Sequence, residues 1–138
     1  MTINSNYQEP NHLNVNKRSR EEWVNEEKEE KVDSAEEKMI KQAETLVIEN
    51  INDENYRVSD LAYDMNYSQR QLGRILKKLT GLGPNHFIKE IRMKKAYHLL
   101  STCQFSTIAE VRKEVGIPHA SYFTKEFEKR FGVLPSEV

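Results

Sequence analysis

The sequence predicts an all-α chain in which one two-helix unit occurs twice, joined by a long helix. Three observations carry this expectation. From Met39 onward apolar residues recur every three or four positions, the spacing of a buried helix face, and no segment alternates as a half-buried strand does. A later stretch copies an earlier one: Val58/Ile108, Asp60/Glu110, Leu61/Val111 and Met65/Val115 stand 50 residues apart, and Leu72/Phe123, Leu76/Phe127, Gly81/Gly132 and Pro84/Pro135 stand 51 apart. Both copies are interrupted at the same place by turn formers, Asn66-Tyr67 in one and Gly116-Ile117-Pro118 in the other.

Taken in order, residues 1–34 read as a charged tail or linker. They are rich in Asn and Glu, and Leu13, Val15, Trp23 and Val24 make no sustained apolar face. The folded domain is expected over 35–138. Ser34 with Glu37 suggests a capping box, and Met39, Ile40, Ala43, Leu46, Val47 and Ile51 mark a helix over about 35–51. After the Asn52–Asn55 turn, Val58, Leu61, Ala62 and Met65 mark a short helix. Ser68 caps the next, whose Leu72, Ile75, Leu76 and Leu79 turn inward before Gly81 and Gly83-Pro84 end it. A long helix over 84–100 directs Phe87, Ile88, Ile91, Ala96, Leu99 and Leu100 inward. Thr107 with Glu110 opens the second copy, and Phe123, Phe127 and Phe131 line its second helix. The architecture is therefore two helix-turn-helix subdomains, 58–81 and 107–132, joined by the linker helix 84–100.

The near balance of 21 Lys+Arg against 22 Asp+Glu conceals an asymmetry. The first 38 residues hold six basic and ten acidic side chains, whereas 69–95 hold eight basic ones (Arg70, Arg74, Lys77, Lys78, Lys89, Arg92, Lys94, Lys95) against Glu90 alone. A basic cluster in a neutral protein points to a polyanion. The second helix of a helix-turn-helix enters the major groove of DNA with its first residues at base edges. Helix 69–80 carries Gln69, Arg70, Gln71 and Arg74 opposite its apolar face, residue types that read A and G edges. Lys77, Lys78 and Ser68 are assigned to phosphates, as are Asn85 and His86 at the opening of the linker helix and Lys129 in the second unit. His119, Ser121, Thr124 and Lys125 face outward on the second candidate helix. That unit, 106–132, holds five basic and four acidic side chains, with Glu126 and Glu128 placed near the DNA face. Two such helices on one rigid connector fit successive major-groove segments about 34 Å apart, so one chain covers about two turns as a monomer.

These residues resemble the DNA-binding domain of AraC/XylS-type transcription regulators over about 39–138, through VSDLAYDMNYSQRQLGRILKKLTGLGPNHFIKEIRMKKAYHLL (58–100) and EVGIPHASYFTKEFEKRFGVLPSE (114–137). The resemblance implies a two-lobed, seven-helix bacterial DNA-binding domain acting in transcription. It also implies that Gln69, Arg70, Gly73, Arg74, Ala120, Ser121, Thr124 and Lys125 lie at the bases. The first half looks most like domains at the C-terminus of hybrid two-component regulators. Departures from the family pattern are Arg112 for a small Ala, Asn66 for a turn Gly, Gly73 for a larger residue and Ile117-Pro118-His119-Ala120 for Phe-Ser-Asp-Pro. Arg112 is expected to reach out to solvent or a phosphate. The chain also stops at Val138, before the family's last short helix is complete.

The remaining composition narrows the classes. One Cys, Cys103, excludes a disulfide framework, and the four His share no ligand spacing, so no metal and no cofactor are expected. No nucleophile–base pair or phosphate loop suggests an enzyme, and no catalytic residue is assigned. Without an apolar run of about 18 residues or a leader, a cytoplasmic protein with no membrane partner is expected. No segment suggests a small-molecule effector site. The competing reading is a protein-interaction module of the same fold that acts on RNA polymerase or another regulator without reading DNA.

Overall fold

A computed structural model describes residues 34–138; the expected tail, Trp23 and Val24 included, lies outside the described residues. The described residues form six α-helices and a closing 3₁₀ turn, with no strand among them: α1 Ser34–Glu49, α2 Val58–Asp64, α3 Gln69–Thr80, α4 Pro84–Ser101, α5 Ile108–Glu114, α6 Ala120–Phe131, then Pro135–Glu137. Helix α1 ends two residues earlier than its apolar spacing suggests. Asn50 turns its side-chain amide back onto the Leu46 carbonyl (2.8 Å) and stops the helix, while Ile51 stays buried in the turn.

The repeat is visible in local chemistry. Asp60 accepts the Arg57 N–H (2.8 Å) at the start of α2, as Glu110 accepts the Thr107 N–H (3.0 Å) at the start of α5. Between short and long helix both units place one residue in the left-handed region, Asn66 (φ 61°) and Gly116 (φ 72°). Both second helices end on a left-handed glycine, Gly81 (φ 79°) and Gly132 (φ 78°). Asn66 thus does what glycine would, as the short polar side chain permits.

Two apolar cores lie along α4. In the first, Ala43 and Val47 of α1 pack with Leu61 and Ala62 of α2, Leu72 and Leu76 of α3, and Phe87 and Ile88 of α4. In the second, Tyr97 of α4 packs against the Phe127 and Phe131 rings (6.1 and 4.8 Å between centroids), and Phe123 adjoins Phe127 at 5.5 Å. The one inward face expected for α4 is therefore incomplete. Arg92, Met93 and Tyr97 are buried too, because two lobes cover this helix, and Leu100 is only half-buried.

Arg92 corrects the charge reading. It is 7% exposed, and its terminal nitrogens donate to four carbonyls: Nη1 to Ile51 (2.6 Å) and Val115 (2.8 Å), Nη2 to Asp53 (3.1 Å) and Tyr56 (3.2 Å). It is not part of a basic surface. Burial pulls its pKa below the ordinary value, and the charge of Asp53 opposes that shift. Gly116 serves this arrangement. A Cβ there would run into the Arg92 guanidinium and the Ile51 carbonyl, on a backbone that disfavours side chains in any case.

This makes Gly116 and Gly81 an informative pair. Gly81 is equally left-handed but has open space around it. Gly81→Ala is expected to cost about 1–2 kcal/mol from backbone strain alone. Gly116→Ala is expected to cost at least about 3 kcal/mol, since overpacking adds to strain. Urea midpoints of the two variants check this; equal losses would show that Arg92 yields freely.

Candidate nucleic-acid interface

Helix α3 divides cleanly. Leu72 and Leu76 are buried, Ile75 and Leu79 half-buried, and Gln69, Arg70, Gln71, Arg74, Lys77 and Lys78 exposed. Arg70, Arg74, Lys77 and Lys78 stand at i, i+4, i+7 and i+8, one stripe of a helix. The start of α3 is fixed by a reciprocal box: Ser68 Oγ accepts the Gln71 N–H (3.1 Å) and Gln71 Oε1 accepts the Ser68 N–H (3.0 Å). Gln71 thus has its oxygen engaged and cannot use both ends of its amide on one adenine while the box holds. Gly73 is half-buried; a Cβ there would meet the Pro84 ring at 3.9 Å, so the position faces the start of α4, off the basic stripe.

Helix α6 buries Phe123 and Phe127 and exposes Ala120, Ser121, Thr124, Lys125 and Lys129. His119 is its N-cap but makes no side-chain cap bond, leaving the exposed imidazole at the helix start. Tyr122, 47% exposed, was not singled out by the sequence; its signal is an aromatic residue off the Phe123–Phe127–Phe131 spacing.

Two side chains of this unit have partners that the sequence did not foretell. Glu126, half-buried, accepts a hydrogen bond from Lys89 of α4 (2.9 Å). Glu90 on α4 likewise takes a two-pronged bond from Arg130 (2.9 and 2.7 Å). That bond to Lys89 draws the Glu126 carboxyl below its ordinary pKa and raises that of Lys89. Arg112 is half-exposed and is tied back to its own turn. Its Nη1 donates to the Pro118 carbonyl (2.6 Å) and, more weakly, to that of Ile117 (3.4 Å), bracing the turn that leads into α6.

The candidates come together in two places. A cleft of about 660 Å³ is lined by Gln69 from the start of α3, Asn85 from the start of α4, and His119 and Tyr122 from the start of α6, with Tyr56 and Arg92 at its walls. The two recognition helices thus open onto one gap. A smaller recess of about 250 Å³ brings His86 and Lys129 together around the Lys89–Glu126 and Glu90–Arg130 pairs. Arg70, Arg74, Thr124 and Lys125 lie outside both. No group of three His, Cys, Asp or Glu side chains among the described residues is placed to hold a metal ion, and no described helix is long and apolar enough to cross a membrane.

The family described as a helix-turn-helix domain matches residues 61–138. An AraC-type DNA-binding-domain regulator from Chromobacterium violaceum superimposes with a TM-score of 0.65 at 26% identity, over 75% of this chain and 91% of that one. The chain belongs to the AraC-type helix-turn-helix family. Among curated relatives of the family, histidine kinase P4 of Formosa agariphila is 33% identical over 106 residues, 77% of this chain and 8% of that protein. The Msm operon regulatory protein of Streptococcus mutans is 37% identical over 81 residues, 59% of this chain and 29% of that protein. This chain therefore spans less than a third of either relative.

The Lys89–Glu126 pair gives a pH signature. A carboxyl with a lowered folded pKa adds stability that is complete above its unfolded value, about 4.3, and is lost as pH falls through the folded one. Glu126→Gln is expected to remove that part of the acid sensitivity. Melting temperatures from pH 7 down to pH 3 should converge for parent and variant at the acid end and separate near neutrality.

Proposed function

We propose that this chain is a sequence-specific DNA-binding transcription regulator that places α3 and α6 in successive major-groove segments. The observation that carries this reading is the arrangement of two repeat-related helices whose exposed first turns open onto one cleft. The relatives add support, since one is named as an operon regulatory protein and a solved neighbour as an AraC-type DNA-binding regulator.

In this reading Gln69, Arg70 and Arg74 reach base edges from α3, and Gln71 contributes only its amide N–H₂. Arg70 and Arg74 have the fork geometry for guanine. From α6, His119, Ser121, Thr124 and Lys125 supply the second set, with the small Ala120 allowing close approach. Gly73 supplies at most backbone, since its position turns toward Pro84. Ser68, Lys77, Lys78, Asn85, His86 and Lys129 hold phosphates and fix register. Phosphate attraction is stronger on α3, where Arg70, Arg74, Lys77 and Lys78 are exposed with no acid on the helix. Both sets belong to one chain, so a monomer reads an asymmetric site.

Selection of bound duplexes from a random pool with the full chain, at two salt concentrations, tests the proposal. An enriched asymmetric motif spanning about two turns is the expected result. A single half-motif would restrict reading to one helix. No enrichment at either salt would overturn the proposal in favour of a protein-interaction module.

Two substitutions should then separate base reading from phosphate holding. Arg74→Ala is expected to cost about 1–3 kcal/mol on the selected site and to relax preference at one base pair. Lys77→Ala is expected to weaken every sequence alike and to lower the slope of log affinity against log salt by about 1. Titrations of selected and scrambled duplexes over a salt series check both.

A further inference from the structure

We infer that Arg92 is a positioning residue that sets the separation of the two recognition helices, and with it the number of base pairs this chain accepts between its two half-sites. The inference rests on the DNA-reading proposal above. A single atom, Nη1, donates to Ile51 O at the end of the first lobe's α1 turn (2.6 Å) and to Val115 O at the end of the second lobe's α5 (2.8 Å). Nη2 adds Asp53 O and Tyr56 O, both in the turn that leads into α2 (3.1 and 3.2 Å). All four terminal N–H groups are thus committed, and a planar guanidinium fixes the directions in which they point. Val115 is followed by Gly116, whose missing side chain lets the guanidinium seat directly against the second turn. Four residues beyond Gly116, α6 begins. The turn that aims the second helix is therefore indexed to the first lobe through one buried group.

Between α4 and α6 the aromatic packing of Tyr97 on Phe127 and Phe131 holds the helices together without directional bonds. Lys89–Glu126 (2.9 Å) and Glu90–Arg130 (2.7 Å) are half-exposed ion pairs between flexible side chains, which tolerate small displacements and are screened by salt. Moving a half-site by one base pair shifts it by about 3.4 Å and turns it by roughly 35° about the duplex axis. A stiff bridge resists that displacement, whereas a pair of long side chains follows it.

The test uses the full chain on the selected duplex and on duplexes with one base pair added or removed between the half-sites. For the parent, each change of spacing is expected to lower affinity about tenfold or more. Arg92→Lys keeps the charge and a hydrogen-bonding head but cannot direct four donors to these carbonyls. It is expected to bind the selected duplex more weakly and to reduce the spacing penalty to about threefold or less, with a cooperative thermal melt showing that it is folded. Glu90→Gln/Glu126→Gln removes both outer ion pairs and keeps Arg92, so its spacing penalty should equal the parent's. A folded Arg92→Lys protein with the parent's penalty overturns the inference. So does loss of the penalty in the double variant, which reports independently of whether Arg92→Lys folds. A parent that selects no DNA, or only one half-site, would instead sink the two-helix reading on which the inference stands.

Discussion

A charged guanidinium sits at the junction of the two cores with its four terminal N–H groups spent on four carbonyls, and each of those carbonyls borders an element. Ile51 follows α1, Asp53 and Tyr56 lie in the turn before α2, and Val115 closes α5. Taking an arginine out of water is costly, and the cost is offset only because several dipoles face it at once. Removing the guanidinium would leave these carbonyls without their donor, at about 1–3 kcal/mol for each one that water from the adjoining cleft does not reach. The glycine at 116 fits that group, and Ile51 and Tyr56, whose carbonyls it binds, are buried at either end of an otherwise exposed α1–α2 turn. Around it the short helices, each only seven residues, gain the support that their length cannot supply.

Much of the architecture was legible because the determinants are local. Helix caps at Ser68 and Thr107, left-handed exits at Gly81 and Gly132 and the repeated apolar spacing act within a few residues, and each appears where its chemistry requires. What was not legible depends on which surfaces meet. Arg92 stands four residues after Ile88 and four before Ala96, on the inward stripe of α4, and that position was the available signal. Charge composition points the other way, since arginine in a basic cluster is usually solvated. Tyr97 and Met93 were missed for a related reason: a search for one apolar face cannot register a helix buried on two sides. Arg112 and Glu126 answer to neighbours five or six residues away across a turn, or 37 residues away on another helix. At the candidate interface the sequence picked residues that are in fact exposed on both recognition helices, with Gly73 the exception, but it did not anticipate that Gln71 is committed to a cap.

The two units solve the same problem with different means. In the first, the side-chain box of Ser68 and Gln71 defines the start of α3, so the helix is ordered by its own sequence. In the second, His119 makes no such cap bond, and order comes from outside the helix. Arg112 ties the Pro118 carbonyl, three phenylalanines line the inner face, and Glu126 and Arg130 lock to α4. Pro118 lacks an N–H, so the second turn has one donor fewer to stabilise itself. Arg112 supplies a donor to this turn from a side chain instead.

Screening separates affinity from geometry in this design. At physiological ionic strength exposed charges interact over about 8 Å, so attraction from the exposed stripe on α3 weakens as salt rises. The half-exposed Lys89–Glu126 and Glu90–Arg130 pairs weaken with it, though less. The four bonds of Arg92, itself only 7% exposed, are made to carbonyls rather than to a counter-charge, so salt screens them less. In the proposed DNA-reading role, the relative placement of α3 and α6 is accordingly less sensitive to salt than their hold on a polyanion. A fold whose lobes were aligned by surface ion pairs alone would lose both together. Burying the arginine that joins the lobes makes their spacing less sensitive to salt than the attraction of the exposed cations on α3.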